Sequence, residues 1–174
     1  MRHIIIYAIL LTATLAVAGC NSNAPADKES GYTHTRLMPR DINTVRVYLA
    51  DNPTLRRQYE LPITQAVIRE IQSASDLRIT DTNPDSILKL TIREIKERVA
   101  IENDTDAVES GSVTFYVEIE WTDARTGATI PVQRKVVSAS GSFYEGRGDN
   151  YNNAAEEATK RLATLIVESM YENW

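Results

Sequence analysis

The sequence predicts an α+β fold: two helices packed on one face of a four- to five-stranded, mainly antiparallel mixed sheet, in the order β-α-β-β-β-α. Three observations carry that expectation. Val113, Phe115, Val117, Ile119 and Trp121 alternate with Thr114, Tyr116, Glu118 and Glu120, the period-two signature of a strand with one face in a core and the other polar. Tyr59, Ile63, Ala66, Val67 and Ile71 recur at spacings of three and four, which puts one apolar stripe on a helix. Ala154, Ala155, Ala158, Leu162, Leu165, Ile166 and Met170 build a second such stripe near the C-terminus.

The elements follow in order. Val45, Val47 and Leu49 alternate with Thr44, Arg46 and Tyr48, so a first strand runs from about Asn43 and stops at Asp51-Asn52-Pro53. The first helix starts near Glu60 or Leu61, because Pro62 must lie in the first turn, where a missing N–H costs little; it ends at Ser73–Asp76. Leu77–Ile79 is a short strand candidate, and the pattern leaves open whether residues 77–80 join the sheet. After the turn residues Thr82-Asn83-Pro84-Asp85, residues 87–100 form a strand whose apolar phase slips from Leu88, Leu90 and Ile92 to Ile95, Val99 and Ile101. That slip requires a bulge or strong twist near Glu94. The clearest strand is Ser112–Thr122. Asp123–Gly127 is a hairpin turn with Gly127 at positive φ, and a further strand continues through Val132 to Tyr144. The last helix spans about Asn153 to Glu172, with Asn153 and Glu156 as a capping pair and Glu156–Lys160 and Glu157–Arg161 as i,i+4 ion pairs.

The N-terminus reads as a leader. An uncharged apolar run from Ile4 to Val17 follows Arg2 and His3, and it is shorter than the roughly 20 residues that span a bilayer. Val17-Ala18-Gly19-Cys20 fits the aliphatic, small, small, Cys pattern at which bacterial lipoprotein precursors are cut. Residues 1–20 are therefore expected to be a signal peptide, with Cys20, the only cysteine, carrying a diacylglycerol and an acyl chain such as palmitate. Thioether linkage leaves no unpaired thiol in an exported chain. Asn21, rather than Asp, after the cysteine favours lipid anchoring in the outer membrane, facing the periplasm. Residues 21–35 are small and polar, a flexible tether; residues 36–174 form one domain.

The formal net charge is −5, one unit more negative once Arg2 leaves with the leader, which disfavours a nucleic-acid partner. His34, inside the tether, is the one histidine beyond the leader. The chain has no H-E-x-x-H, no G-x-S-x-G, no paired cysteines and no phosphate-binding glycine loop, so no catalytic residue, metal site or cofactor is assigned and the chain reads as a non-enzyme. Glu102, Asp104, Asp106 and Glu109 lack EF-hand spacing and read as a solvated acidic hairpin tip. Arg147-Gly148-Asp149 reads as a turn into the last helix. Arg36, Arg40, Arg46, Arg56 and Arg57 bias the N-terminal part towards an anionic head group or phosphate.

Asp41-Ile42-Asn43-Thr44-Val45-Arg46-Val47, Thr54-Leu55-Arg56-Arg57, Glu60-Leu61 and Ile63–Ile71 together resemble the LptE family of lipopolysaccharide-assembly lipoproteins, in its divergent, non-enteric form. Asp85–Leu88, Val117–Trp121 with the Asp123–Gly127 turn, and Ala155–Ala158 fall in matching order. The resemblance implies an accessory that plugs the outer-membrane barrel LptD, helps deliver lipopolysaccharide and has no enzymatic activity. It also implies partner or glycolipid contacts, for which Arg56, Arg57, Tyr116 and Arg147 are the candidates. Enteric members carry a basic residue in a middle loop and another near the last helix; here the loop Glu102–Gly111 is acidic, and Arg147 is an approximate counterpart of the second. The alternative is a stand-alone, periplasm-facing lipoprotein that binds a ligand or cell-envelope component.

Cys20→Ser is expected to leave an unprocessed, unlipidated precursor. Gel mobility and membrane fractionation check this; an unchanged membrane fraction with unchanged mobility would contradict it.

Overall fold

A computed structural model describes residues 41–102 and 108–171, the side chains of 100–109 excepted. The leader, Cys20, the tether, Arg36, Arg40, Asp104, Asp106 and the side chains of Glu102 and Glu109 lie outside what is described. Strand β1 (Thr44–Val47) is followed by helix α1 (Glu60–Ala74), β2 (Arg78–Ile79), β3 (Ser86–Glu102), β4 (Val108–Asp123), β5 (Val136–Tyr144) and helix α2 (Tyr151–Met170), a one-turn 3-10 segment at Glu145–Arg147 preceding α2. The five strands form one mixed sheet in the order β2-β1-β3-β4-β5. β1 runs parallel to both β2 and β3, and the β3–β4 and β4–β5 pairs are antiparallel. Arg78–Ile79 thus joins the sheet, beside β1.

Alternation places the core. Leu88, Leu90 and Ile92 on β3 stand opposite Trp121, Ile119 and Val117 on β4, and all six are buried. Val45 extends this layer through β1, and Val137, Ala139 and Phe143 extend it through β5. The helices cover that face: Ile63, Ala66, Val67 and Ile71 from α1, and Ala154, Ala158, Leu162, Ile166 and Met170 from α2, are buried. Residues of one parity on β4 are thereby lost to water while Glu120 of the other parity stays exposed.

Local chemistry fixes the joints. Asp85 staples the first crossing: one carboxylate oxygen accepts from Thr44 Oγ1 at 2.8 Å and from the backbone N–H groups of Thr44 and Asn43. These donors, the Thr44 hydroxyl first, hold Asp85 below the ordinary carboxylate value. Helix α1 carries Pro62 in its first turn, as its sequence requires, and Ser75 closes it by donating to Ile71 O at 2.6 Å. The two helices lie side by side, tied by Tyr59–Tyr151, Thr164–Glu70 and Tyr171–Ala74 hydrogen bonds.

Several expectations are corrected. β1 ends at Val47, so Leu49 is exposed and Ala50 is buried instead, its N–H donating to Thr64 Oγ1 at 2.9 Å. β4 begins at Val108 rather than Ser112, because Ser110 and Gly111 already pair with Tyr144 and Phe143. β5 begins at Val136 rather than continuing through Val132. Pro131 has no N–H to offer a ladder, and the Gln133 N–H goes to Ser169 O at the end of α2, at 2.8 Å. The cap of α2 is Asn150, not Asn153 with Glu156: the Asn150 side chain accepts from the N–H groups of Asn152 and Asn153, and Asn153 reaches back to the Asn150 N–H.

The tightest joint is between β5 and α2. A Cβ on Gly141 would stand 2.0 Å from the Ala154 carbonyl oxygen and 3.0 Å from the Ala158 nitrogen, so strand and helix backbones are in contact there. Gly141→Ala is expected to cost about 1–3 kcal/mol of folding stability through overpacking, read from urea denaturation. A variant with the wild-type midpoint would show that the two elements separate freely.

Candidate functional site

The surface that the fold leaves open is the helix-free face of β3, β4 and β5. Its position follows from one irregularity: register shifts between Ile92 and Glu94, so Arg93 is an extra residue in β3. Beyond it, Glu94, Lys96 and Arg98 stand against Tyr116, Thr114 and Ser112 on the open face, while Ile95, Glu97 and Val99 turn to the helix side.

Glu118 is the electrostatic centre of the open face. It accepts from Arg93 Nε at 2.5 Å, pairs with Arg93 Nη2, and meets Lys135 Nζ at 3.2 Å from the other flank. Arg93 first, and Lys135 second, hold its carboxyl below the usual value. Next to it, the Lys96 ammonium lies 4.7 Å from the centre of the Tyr116 ring and 3.2 Å from Glu94. Thr114 and Ser140 share a hydroxyl hydrogen bond of 2.8 Å, and Ser138, Ser140 and Ser142 continue the row to the sheet edge. This face is polar and paired within itself, with hydroxyls towards β5 and ion pairs towards β3.

Arg56 and Arg57 are not gathered here. Arg56 belongs to the helix side, where its guanidinium donates to Glu97 Oε2 at 2.6 Å and to the Tyr151 hydroxyl at 3.3 Å. Tyr151 also donates to Glu97 and accepts from Tyr59, whose ring packs edge-on to Phe115 at 4.9 Å. Arg56 is therefore part of a joint between the β1–α1 loop, β3 and α2. Sequence reading missed Glu97 and Tyr151, since only the bulge brings Glu97 to this side. Arg57 is exposed and borders an open cleft of about 490 Å³ with Leu49, Asn52, Glu60 and Leu61. Leu55, at the crest of the same loop, is fully exposed. The Arg147 guanidinium stacks on Tyr144, 5.1 Å from its ring centre. Among the described residues no group of three or more His, Cys, Asp or Glu has metal-holding geometry, and no helix is long and apolar enough to cross a membrane.

A five-stranded mixed sheet with both helices on one face and a polar opposite face defines a class of small α+β domain. The chain belongs to the LptE family, described as lipopolysaccharide-assembly, whose sequence model matches residues 42–172. Solved structures share the fold. A hypothetical protein from Chlamydia trachomatis is 14% identical, with 72% of this chain and 94% of that one covered, at a TM-score of 0.52. An uncharacterised lipoprotein B from Nitrosomonas europaea is 11% identical, with 75% and 82% covered, at 0.52. A dodecameric PelC from Paraburkholderia phytofirmans is 12% identical, with 79% and 92% covered, at 0.50. No curated protein sequence matches.

Burial, then the adjacent Glu97, push the Tyr151 hydroxyl well above the ordinary phenolic value of 10.0. A raised folded-state value means that this joint's contribution is complete below about pH 10 and is lost as pH rises beyond it. Tyr151→Phe is expected to lower stability by about 1 kcal/mol at neutral pH. It should also flatten the alkaline decline seen in urea midpoints between pH 7 and pH 11. An alkaline slope equal to that of the wild type would place the titration elsewhere.

Proposed function

We propose that this protein is an outer-membrane lipoprotein, held by acyl chains on Cys20 and facing the periplasm, that acts without enzymatic activity as the accessory plug of an LptD-like barrel in lipopolysaccharide assembly. Membership in the family supports the assembly role. The observation that carries the plug reading is the helix-free face of β3–β5. Large barrels have polar lumens, and a plug needs a surface that stays wettable and rigid without a core of its own there. Glu118 with Arg93 and Lys135, and the Thr114–Ser140 hydroxyl pair, supply such a surface. Tyr116 would be its aromatic contact. Arg57, outside that face, and Arg147, stacked on Tyr144 at the end of its serine row, are the basic groups assigned to glycolipid phosphate, and Arg56 acts through the joint it holds with Glu97 and Tyr151.

A stand-alone, ligand-binding lipoprotein is the second reading. It draws on the groove of about 420 Å³ between α1 and α2, floored by Tyr59, Pro62, Ala66 and Ala155 and rimmed by Arg69 and Lys160. The plug reading is preferred because family membership supports the assembly role, whereas the groove opens to solvent on the outer side of the helices, with Arg69, Glu156 and Lys160 exposed.

Purification of the full chain from its native membrane in mild detergent is expected to bring a large β-barrel protein with it. Tyr116→Arg combined with Ser138→Arg should reduce barrel recovery about tenfold or more with an unchanged melting temperature, as expected for a charge clash at an interface core. Absence of any barrel from the wild-type preparation would refute the proposal, and full recovery by the folded variant would move the interface off this face.

A further inference from the structure

The two edges of the sheet differ. β2 is two residues long, whereas β5 presents nine residues, Val136–Tyr144, with no charge and no proline. Among the described residues no strand lies beyond β5. An antiparallel ladder turns alternate residues towards and away from its neighbour. Lys135 O accepts from Ile119 N, so odd-numbered residues of β5 bond β4. Ser138, Ser140, Ser142 and Tyr144 therefore point their N–H and C=O groups outwards. Long uncharged edges of this kind are templates for another strand unless something guards them.

Here two side chains of α2 are the guards. Arg161 Nη1 donates to Ser140 O at 3.1 Å, Glu157 Oε2 accepts from Ser142 N at 3.4 Å, and the two side chains are bonded to each other at 2.5 Å. A donor facing residue 140 and an acceptor facing residue 142 are the groups that the backbone of an adjacent antiparallel strand would present. We propose that the free edge of β5 is a strand-pairing surface for β5 of a second copy, and that Glu157 and Arg161 stand in for that strand while the protein is monomeric.

The strand is complementary to itself in the register that the two capped groups select. With Ser140 opposite Ser142 of the second copy, the Ser142 N–H of each copy meets the Ser140 carbonyl of the other, the same two groups that the side chains now cap. Gly141 falls on the two-fold axis, Ser138 meets Tyr144, and no charges oppose one another along the edge. Released from the edge, Arg161 of each copy comes beside Glu157 of the other, so the displaced ion pairs re-form across the axis. The product is a continuous sheet with all helices on one face and the serine row doubled on the other. A one-residue slip would put inward residues against outward ones, which excludes the neighbouring registers.

Sedimentation velocity on the full chain in detergent, over a wide range of protein concentration, tests this. A concentration-dependent dimer is expected. Ser140→Pro removes an outward N–H that β4 does not use, and should weaken association by at least about tenfold with an unchanged melting temperature. Ser140→Cys combined with Ser142→Cys should give a disulfide-linked dimer on mild oxidation, and this decides the matter if the proline variant fails to fold. A wild type that stays monomeric throughout, a dimer indifferent to Ser140→Pro in a folded variant, or a cysteine pair that does not cross-link would each overturn the proposal. None of these outcomes bears on co-purification of a barrel.

Discussion

One extra residue in β3 organises the molecule. Without Arg93 as a bulge, the alternation that buries Leu88, Leu90 and Ile92 would carry on to Glu94 and Lys96, and two charges would point at the helices. With it, Ile95 and Glu97 face the helices, and Lys96 lies over Tyr116. Unpaired charges under a helix layer would cost several kcal/mol each, far more than the backbone bonds forgone at a bulge. The irregularity therefore reconciles a strand of 17 residues with helices too short to cover all of it. It also creates both polar clusters: Arg93 becomes the partner of Glu118 on the open face, and Glu97 becomes the anchor of Arg56 and Tyr151 on the covered one.

These clusters shape surfaces more than they stabilise them. Arg93 and Lys135 are largely exposed, and pairs of that kind are worth about 1 kcal/mol or less. Stability comes instead from the inward row of β4 and from close contact of helix and strand at Gly141. That division leaves the open face free to vary in its charges without endangering the fold.

What the sequence made legible follows the same division. Wherever burial alone sets the pattern, the reading matches the structure: the rows Val113–Trp121 and Ile63–Ile71, Pro62 in a first turn, the phase slip in β3, and Gly127 at φ 71°. It failed where a distant partner competes for a backbone group. The N–H of Gln133 is claimed by the end of α2, a carbonyl 36 residues away, which local pattern cannot register. Asn150 wins the helix cap from Asn153 because the chain enters α2 extended after Gly148, at φ 79°. Arg56 and Arg57 are adjacent and alike in sequence, yet one is tied into a joint by Glu97 and the other is left at the rim of a cleft. The joint was invisible because its carboxylate changes sides at the bulge.

The same long-range logic separates the sheet's two edges. β2 is too short to recruit a strand, so it needs no guard. β5 is long because α2 requires it: the helix spans 20 residues and lies along the strand, with Gly141 admitting its backbone. A strand long enough to seat the helix necessarily offers a long outer edge, and the helix that imposes the exposure also supplies Glu157 and Arg161 to cap it. Acyl anchoring at Cys20, as proposed, would sharpen the consequence. Copies confined to a membrane plane meet at an effective concentration far above that in bulk solution, so an edge pairing too weak to matter for a free domain becomes significant there. The Glu157–Arg161 pair would then set how readily copies pair, since its two hydrogen bonds to β5 must be broken before the edge can accept a strand.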